Sequence, residues 1–182
     1  LTETWGDVPL VTKTLTLAEA QINQTPKSEV VDFILKELDE AIPVLPVHID
    51  ANEWGRISQG SALAIKARTA LYNNMYDIAA KAAKEVIDSG EYQIDDSFEN
   101  LFKSATQSNS KEMMFFITYK EGYRTPGVVR GCTSRMGGGY SSKIPVQATV
   151  DSYECIDGLP IDKSPLYDPL KPFENRDPRL GY

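Results

Sequence analysis

The residues of this 182-residue chain that could do chemistry are few and scattered. His48 is the only histidine and sits in a proline-bounded loop. A zinc site needs three or four convergent ligands, so a single histidine reads as a surface side chain. Asp95, Asp96 and Glu99 lie close together but lack the spacing of a calcium loop, and read as solvated loop acids. Gly137, Gly138 and Gly139 precede Tyr140, Ser141, Ser142 and Lys143. A phosphate loop requires Gly-Lys followed by Ser or Thr after a strand, and that order is absent. The glycines read instead as bends that need positive φ. Ser108 and Lys111 show the Ser-x-x-Lys spacing of some acyl-transfer enzymes, without the motifs that accompany it. No Ser-His-Asp set can be assembled around the one histidine. No carboxylate pair is singled out for glycoside hydrolysis, which depends on a separation in space. The expectation is a protein that is not an enzyme and carries no cofactor or metal.

Carbohydrate binding finds more support. Flat aromatic faces combined with planar polar side chains hold neutral sugars, because each ring offers a large apolar surface with a polar handle. Tyr123, Arg124, Arg130, Arg135 and Tyr140 cluster around a glycine-rich excursion at 122–143, and Trp54 stands in a loop between helices. These six are the expected ligand-binding residues. The competing reading is that each ring covers a helix end.

The elements that would position them are mainly helical. Val30, Ile34, Leu38 and Ile42 recur every fourth residue, flanked by Val31, Leu35 and Leu45, and predict an amphipathic helix from Pro26 to about Leu45. Thr25 is the expected N-cap and Pro26 the first helical residue. A second helix is expected from Ser58, its cap, to about Asn73, with Leu63, Ala67 and Leu71 on one face. Asn73 and Asn74 mark a tight turn. A third runs from Tyr76 to Ser89, its buried stripe being Ala79, Ala82, Ala83, Val86 and Ile87, with Gly90 as the left-handed C′ residue. Two helices of equal length joined by a short turn make an antiparallel hairpin of tetratricopeptide type. Its alanine-lined faces call for neighbours on both sides, one being the helix before it.

The fold class expected is therefore mainly α, a tetratricopeptide-like hairpin plus a further helix, with long irregular loops and little β. Residues 26–89 form the helical core, and 90–182 a loop-rich region packing on it. Tyr92, Ile94, Phe98, Leu101 and Phe102 are expected to pack where the chain crosses the helices. Met113 to Tyr119 reads as a buried strand or extended segment. A short helix is expected within 144–153.

Composition excludes some partners. A net charge of −7 gives no basic stripe for nucleic acid. Apolar content of 41% and charged content of 25% suit a folded domain. No run approaches the ~18 apolar residues of a membrane span. Cys132 and Cys155 could pair only if their Cα atoms come within about 7 Å, which spacing alone leaves open.

Five stretches, in order, carry a resemblance to the SusD/RagB family of outer-membrane nutrient-binding lipoproteins. They are Trp5-Gly6-Asp7-Val8-Pro9-Leu10; Glu29 to Leu45; Gly55-Arg56-Ile57-Ser58 through Leu71-Tyr72; Tyr76 through the segment ending at Ile94; and Asp157-Gly158, Tyr167-Asp168-Pro169 and Asn175 to Arg179. Residues 103–143 match least. The resemblance implies that the chain is an internal portion, a single partial domain, of a larger SusD-like protein. It implies lipid anchoring at the cell surface through an amino-terminal segment absent from this sequence. It also implies a TonB-dependent transporter as partner and oligo- or polysaccharide as ligand. Arg56, Arg68 and Asp177, which fall in matched stretches, are read as structural.

Overall fold

The structure is a computed structural model that describes residues 1–50, 53, 55–117, 119, 122, 123 and 127–181. It resolves into two compact units, Leu1–Ile117 and Thr118–Tyr182. Among the described residues it is mainly helical, and its only β features are two isolated bridges.

The first unit is built on three helices: α2 (Lys27–Ala41), α3 (Gln59–Tyr72) and α4 (Tyr76–Asp88), preceded by a single turn, α1 (Thr2–Trp5). Helices α3 and α4 form the antiparallel hairpin, and α2 packs on α3. The centre is small. Val31 and Leu35 of α2 meet Ala70 of α3 and Ala79 of α4, with Met75 of the turn closing over them. Alanines here let the helix backbones approach, and Val31, only 1% exposed, supplies the branched bulk between them. Burying a side chain of that size contributes about 2 kcal/mol. Asn74 at φ 59 makes the hairpin turn, and Gly90 at φ 68 ends α4 in the left-handed conformation.

The cap of α2 departs from the sequence expectation. Thr25 is tied by both backbone groups to Val8, so it is not free to cap. Pro26 takes the N-cap position, and the Lys27 amide donates instead to Asp7 Oδ1 at 2.8 Å. Ser58 does cap α3 as expected, accepting from the Ser61 amide. The α4 stripe also differs: Ala79 and Ala82 are buried, but Ala83 is exposed and Ile87 is 75% exposed. Ile87 only borders an open hollow that Tyr92, Ile94 and Met114 also line.

Beyond α4, residues 90–117 lie with the helices in the first unit. Leu101 is buried as expected, whereas Ile94, Phe98 and Phe102 are exposed, the two phenylalanine rings packing on each other at 5.0 Å. The stretch 113–117 is not a strand. Its exposure alternates, with Met114 and Phe116 half-buried and Phe115 and Ile117 exposed.

The second unit holds two short helices, α5 (Val128–Cys132) and α6 (Gln147–Asp151), joined by turns. Gly138 at φ 81 provides the bend expected of the glycine run. Its neighbour Gly139 lies so close to the Thr133 carbonyl that a Cβ would fall 2.2 Å from the oxygen. Arg176, 5% exposed, pins the later segment: its guanidinium donates to the carbonyls of Pro172, Val150 and Tyr153. Cys132 is exposed, Cys155 buried, and both are free thiols.

Candidate functional site

Two places bring polar and aromatic side chains together. The first is a cleft of about 440 Å³ in the helical unit, at the start of α3. Its walls come from the loop before α3, from Gly90, Glu91 and Tyr92 just after α4, and from the segment 108–116. Met113, Met114 and Phe116 add apolar lining.

The wall at Tyr92 is a chain of hydroxyls. Ser61 Oγ donates to the Met114 carbonyl at 2.7 Å. Its proton is thereby used, so in the 2.7 Å contact between Ser58 Oγ and Ser61 Oγ, Ser58 is the donor. The same logic makes Tyr92 the donor to Ser58 Oγ, also at 2.7 Å. The chain runs one way, and Tyr92 Oη is left with acceptor capacity at the cleft. Gly60 permits this arrangement: a Cβ there would lie 2.2 Å from Tyr92 Cε2.

The charged groups of the cleft divide into paired and unpaired. His48 Nδ1 meets Glu91 Oε2 at 3.2 Å, and Arg56 Nη1 meets Glu53 Oε1 at 3.4 Å. Lys111 has no ion pair among the described residues. Sequence reading missed this site. Tyr92 reads as packing, Ser58 as a cap and His48 as an isolated surface histidine, and no spacing signals that three separate segments meet.

The second place is the glycine-rich excursion. Of the six residues expected to bind ligand, Trp54 and Arg124 lie outside the described residues. Arg130 and Tyr140 are brought together: the guanidinium lies 5.5 Å from the ring centroid, and the Tyr140 amide donates to the Arg130 carbonyl at 2.8 Å. Such stacking fixes the ring at modest energy, about 0.5–1 kcal/mol at an exposed position. Tyr123 is 86% exposed, and Arg135 is exposed in a single 3₁₀ turn that Ser134 caps. The described residues contain no group of three or more metal-ligating side chains, and no helix among them is long and apolar enough to cross a membrane.

Several solved structures share this architecture. A SusD-like carbohydrate-binding protein from Bacteroides fragilis is similar at a TM-score of 0.91 and 33% identity, over 97% of this chain and 35% of that one. A second SusD-like protein from Bacteroides fragilis matches at 0.78 and 27% identity, over 96% of this chain and 38% of that one. Surface glycan-binding protein A from Bacteroides uniformis matches at 0.56 and 27% identity, over 63% and 26%. No family model and no curated protein matches the chain. This chain therefore spans little more than a third of the length of the first two structures. It is a structural homologue of SusD-like proteins, sharing their fold along nearly all of its own length.

Proposed function

We propose that this chain belongs to a SusD/RagB-type protein that captures nutrient glycans at the bacterial cell surface without chemically altering them. The observation that carries the reading is the 0.91 match, at 33% identity, to a SusD-like carbohydrate-binding protein. The glycine-rich surface supports it. Arg130 stacked on Tyr140, with Tyr123 and Arg135 exposed nearby in sequence, offers the ring faces and planar donors that sugar hydroxyls require. Trp54 and Arg124 complete the proposed ligand set. The protein carrying this chain would be lipid-anchored on the outer membrane and pass its ligand to a TonB-dependent transporter. Retention on a panel of immobilised oligo- and polysaccharides tests the reading, with reducing ends assayed in parallel. Retention without product supports it, and turnover of a retained glycan contradicts it.

A second reading, a helical scaffold whose main partner is protein, is favoured by a specific feature. Leu71, Tyr72 and Tyr76 at the α3–α4 turn are 51%, 62% and 61% exposed, a cluster of apolar and aromatic surface on a rigid hairpin. Copurification of a membrane barrel with no glycan retention would favour this reading over the first. The two jobs are compatible in one protein.

A further inference from the structure

We propose that the cleft at the start of α3 is a second saccharide subsite, selective for a sugar unit bearing an anionic group, a carboxylate or a sulfate ester. The inference rests on reading the chain as a saccharide binder and adds a separate place and ligand class to that reading.

Three observations support it. The cleft, at about 440 Å³, falls within the ~300–1,000 Å³ typical of small-ligand sites, and apolar and polar side chains line it together. The one-way hydroxyl chain leaves Tyr92 Oη as an acceptor, so that wall reads a ligand hydroxyl that donates. The remaining walls carry two cations, Arg56 and Lys111, and one carboxylate, Glu91. Glu91 is engaged by His48, while Lys111 holds an ammonium that no carboxylate pairs among the described residues. Asp95 and Asp96 border a neighbouring hollow that Lys111 also lines, yet no ion pair joins them among the described residues. Arg56 keeps only an exposed, long contact with Glu53, which an incoming anion can outcompete. A neutral sugar would satisfy Tyr92 and leave Lys111 unanswered, whereas a uronate or sulfated sugar satisfies both.

Calorimetric titration of the full chain tests this with four probes: a glucuronate-containing disaccharide, its carboxyl-reduced neutral counterpart, a sulfated disaccharide and inorganic sulfate. At least one anionic disaccharide is expected to bind about tenfold or more tightly than the neutral one. Lys111→Gln should erase that preference without changing the melting temperature, because Lys111 makes no ion pair among the described residues. Which anionic disaccharide wins identifies the group recognised. Equal binding of the neutral disaccharide, an unaffected Lys111→Gln variant, or inorganic sulfate binding as tightly as the sugars would each overturn the inference. Those results leave the broader glycan reading standing. Failure of all four probes, in a protein retained on a neutral glycan, overturns this subsite alone. Failure to bind any glycan at all removes both.

Discussion

Asp7 Oδ1 accepts the Lys27 amide at 2.8 Å, so the first long helix is capped from a point twenty residues upstream. The arm carrying Asp7 is itself pinned by the reciprocal Val8–Thr25 bridge, with N···O distances of 3.2 and 3.0 Å. Glu3 adds a 2.9 Å contact from the same arm to the Lys27 ammonium. Asp7→Ala removes a cap bond and its charge at the helix N-terminus. It should lower stability to urea unfolding by about 1 kcal/mol, and Asp7→Asn by less, since an amide oxygen still accepts. Equal stability of Asp7→Ala and the parent chain would show that water replaces the cap at no cost.

Gly60 and Tyr92 are in direct competition for space. Gly60→Ala places a methyl 2.2 Å from Tyr92 Cε2, forcing the ring away and breaking its hydroxyl bond to Ser58. The expected loss is about 1–3 kcal/mol. A double-mutant cycle with Tyr92→Ala should recover most of it, because the clashing ring is gone. Strict additivity in that cycle would place the cost of Gly60→Ala elsewhere.

Arg176 is a buried cation that donates to three carbonyls, and no ion pair involving it is found among the described residues. Its Nε has no partner there. Replacing it with Met strands the carbonyls of Pro172, Val150 and Tyr153, at a cost on the order of 3 kcal/mol within the second unit. Hydrogen exchange reads this locally. The Ile156 and Asp177 amides, bonded to Asn175 and Glu154, should lose protection, and Arg176→Lys should recover only part of it. Unchanged exchange at both amides would mean the segment is held without the guanidinium.

Acid should act on Asp177. Hydrogen bonds from the Arg179 side chain and amide hold its carboxyl at about 2, below its ordinary value of 3.8. A carboxyl depressed on folding stabilises the native state above its unfolded value, and that contribution fades as pH falls from about 3.8 towards 2. A carbon-detected NMR titration of Asp177 should therefore show a midpoint well under 3.8, moving back up in Arg179→Gln. A parent midpoint at 3.8 would show that the pair does not persist in solution.

Periodicity made the helices legible in sequence. The four-residue repeat from Val30, the Ser58 cap and Gly90 after α4 are local signals, and each appears where local chemistry requires it. What escaped was non-local. Thr25 looked like a cap because nothing in its neighbourhood reveals that Val8 occupies its backbone. Ile87 belonged to the apolar stripe by spacing, yet a helix face is buried only if a partner covers it, and spacing does not supply partners. The same limit hid the cleft, where His48, Tyr92 and Lys111 come from three segments. The Arg130–Tyr140 pair was easier, because ten residues with a glycine run between them can fold back on themselves.

Saturable binding without turnover is the property that separates a capture protein from every enzyme reading. Isothermal titration of the full chain with the best-retained glycan measures it directly, because heat from binding ends at saturation while heat from turnover continues. The expected trace is a finite isotherm with unchanged glycan recovered afterwards. Steady thermal power at fixed glycan, with shortened chains in the cell, would contradict the account.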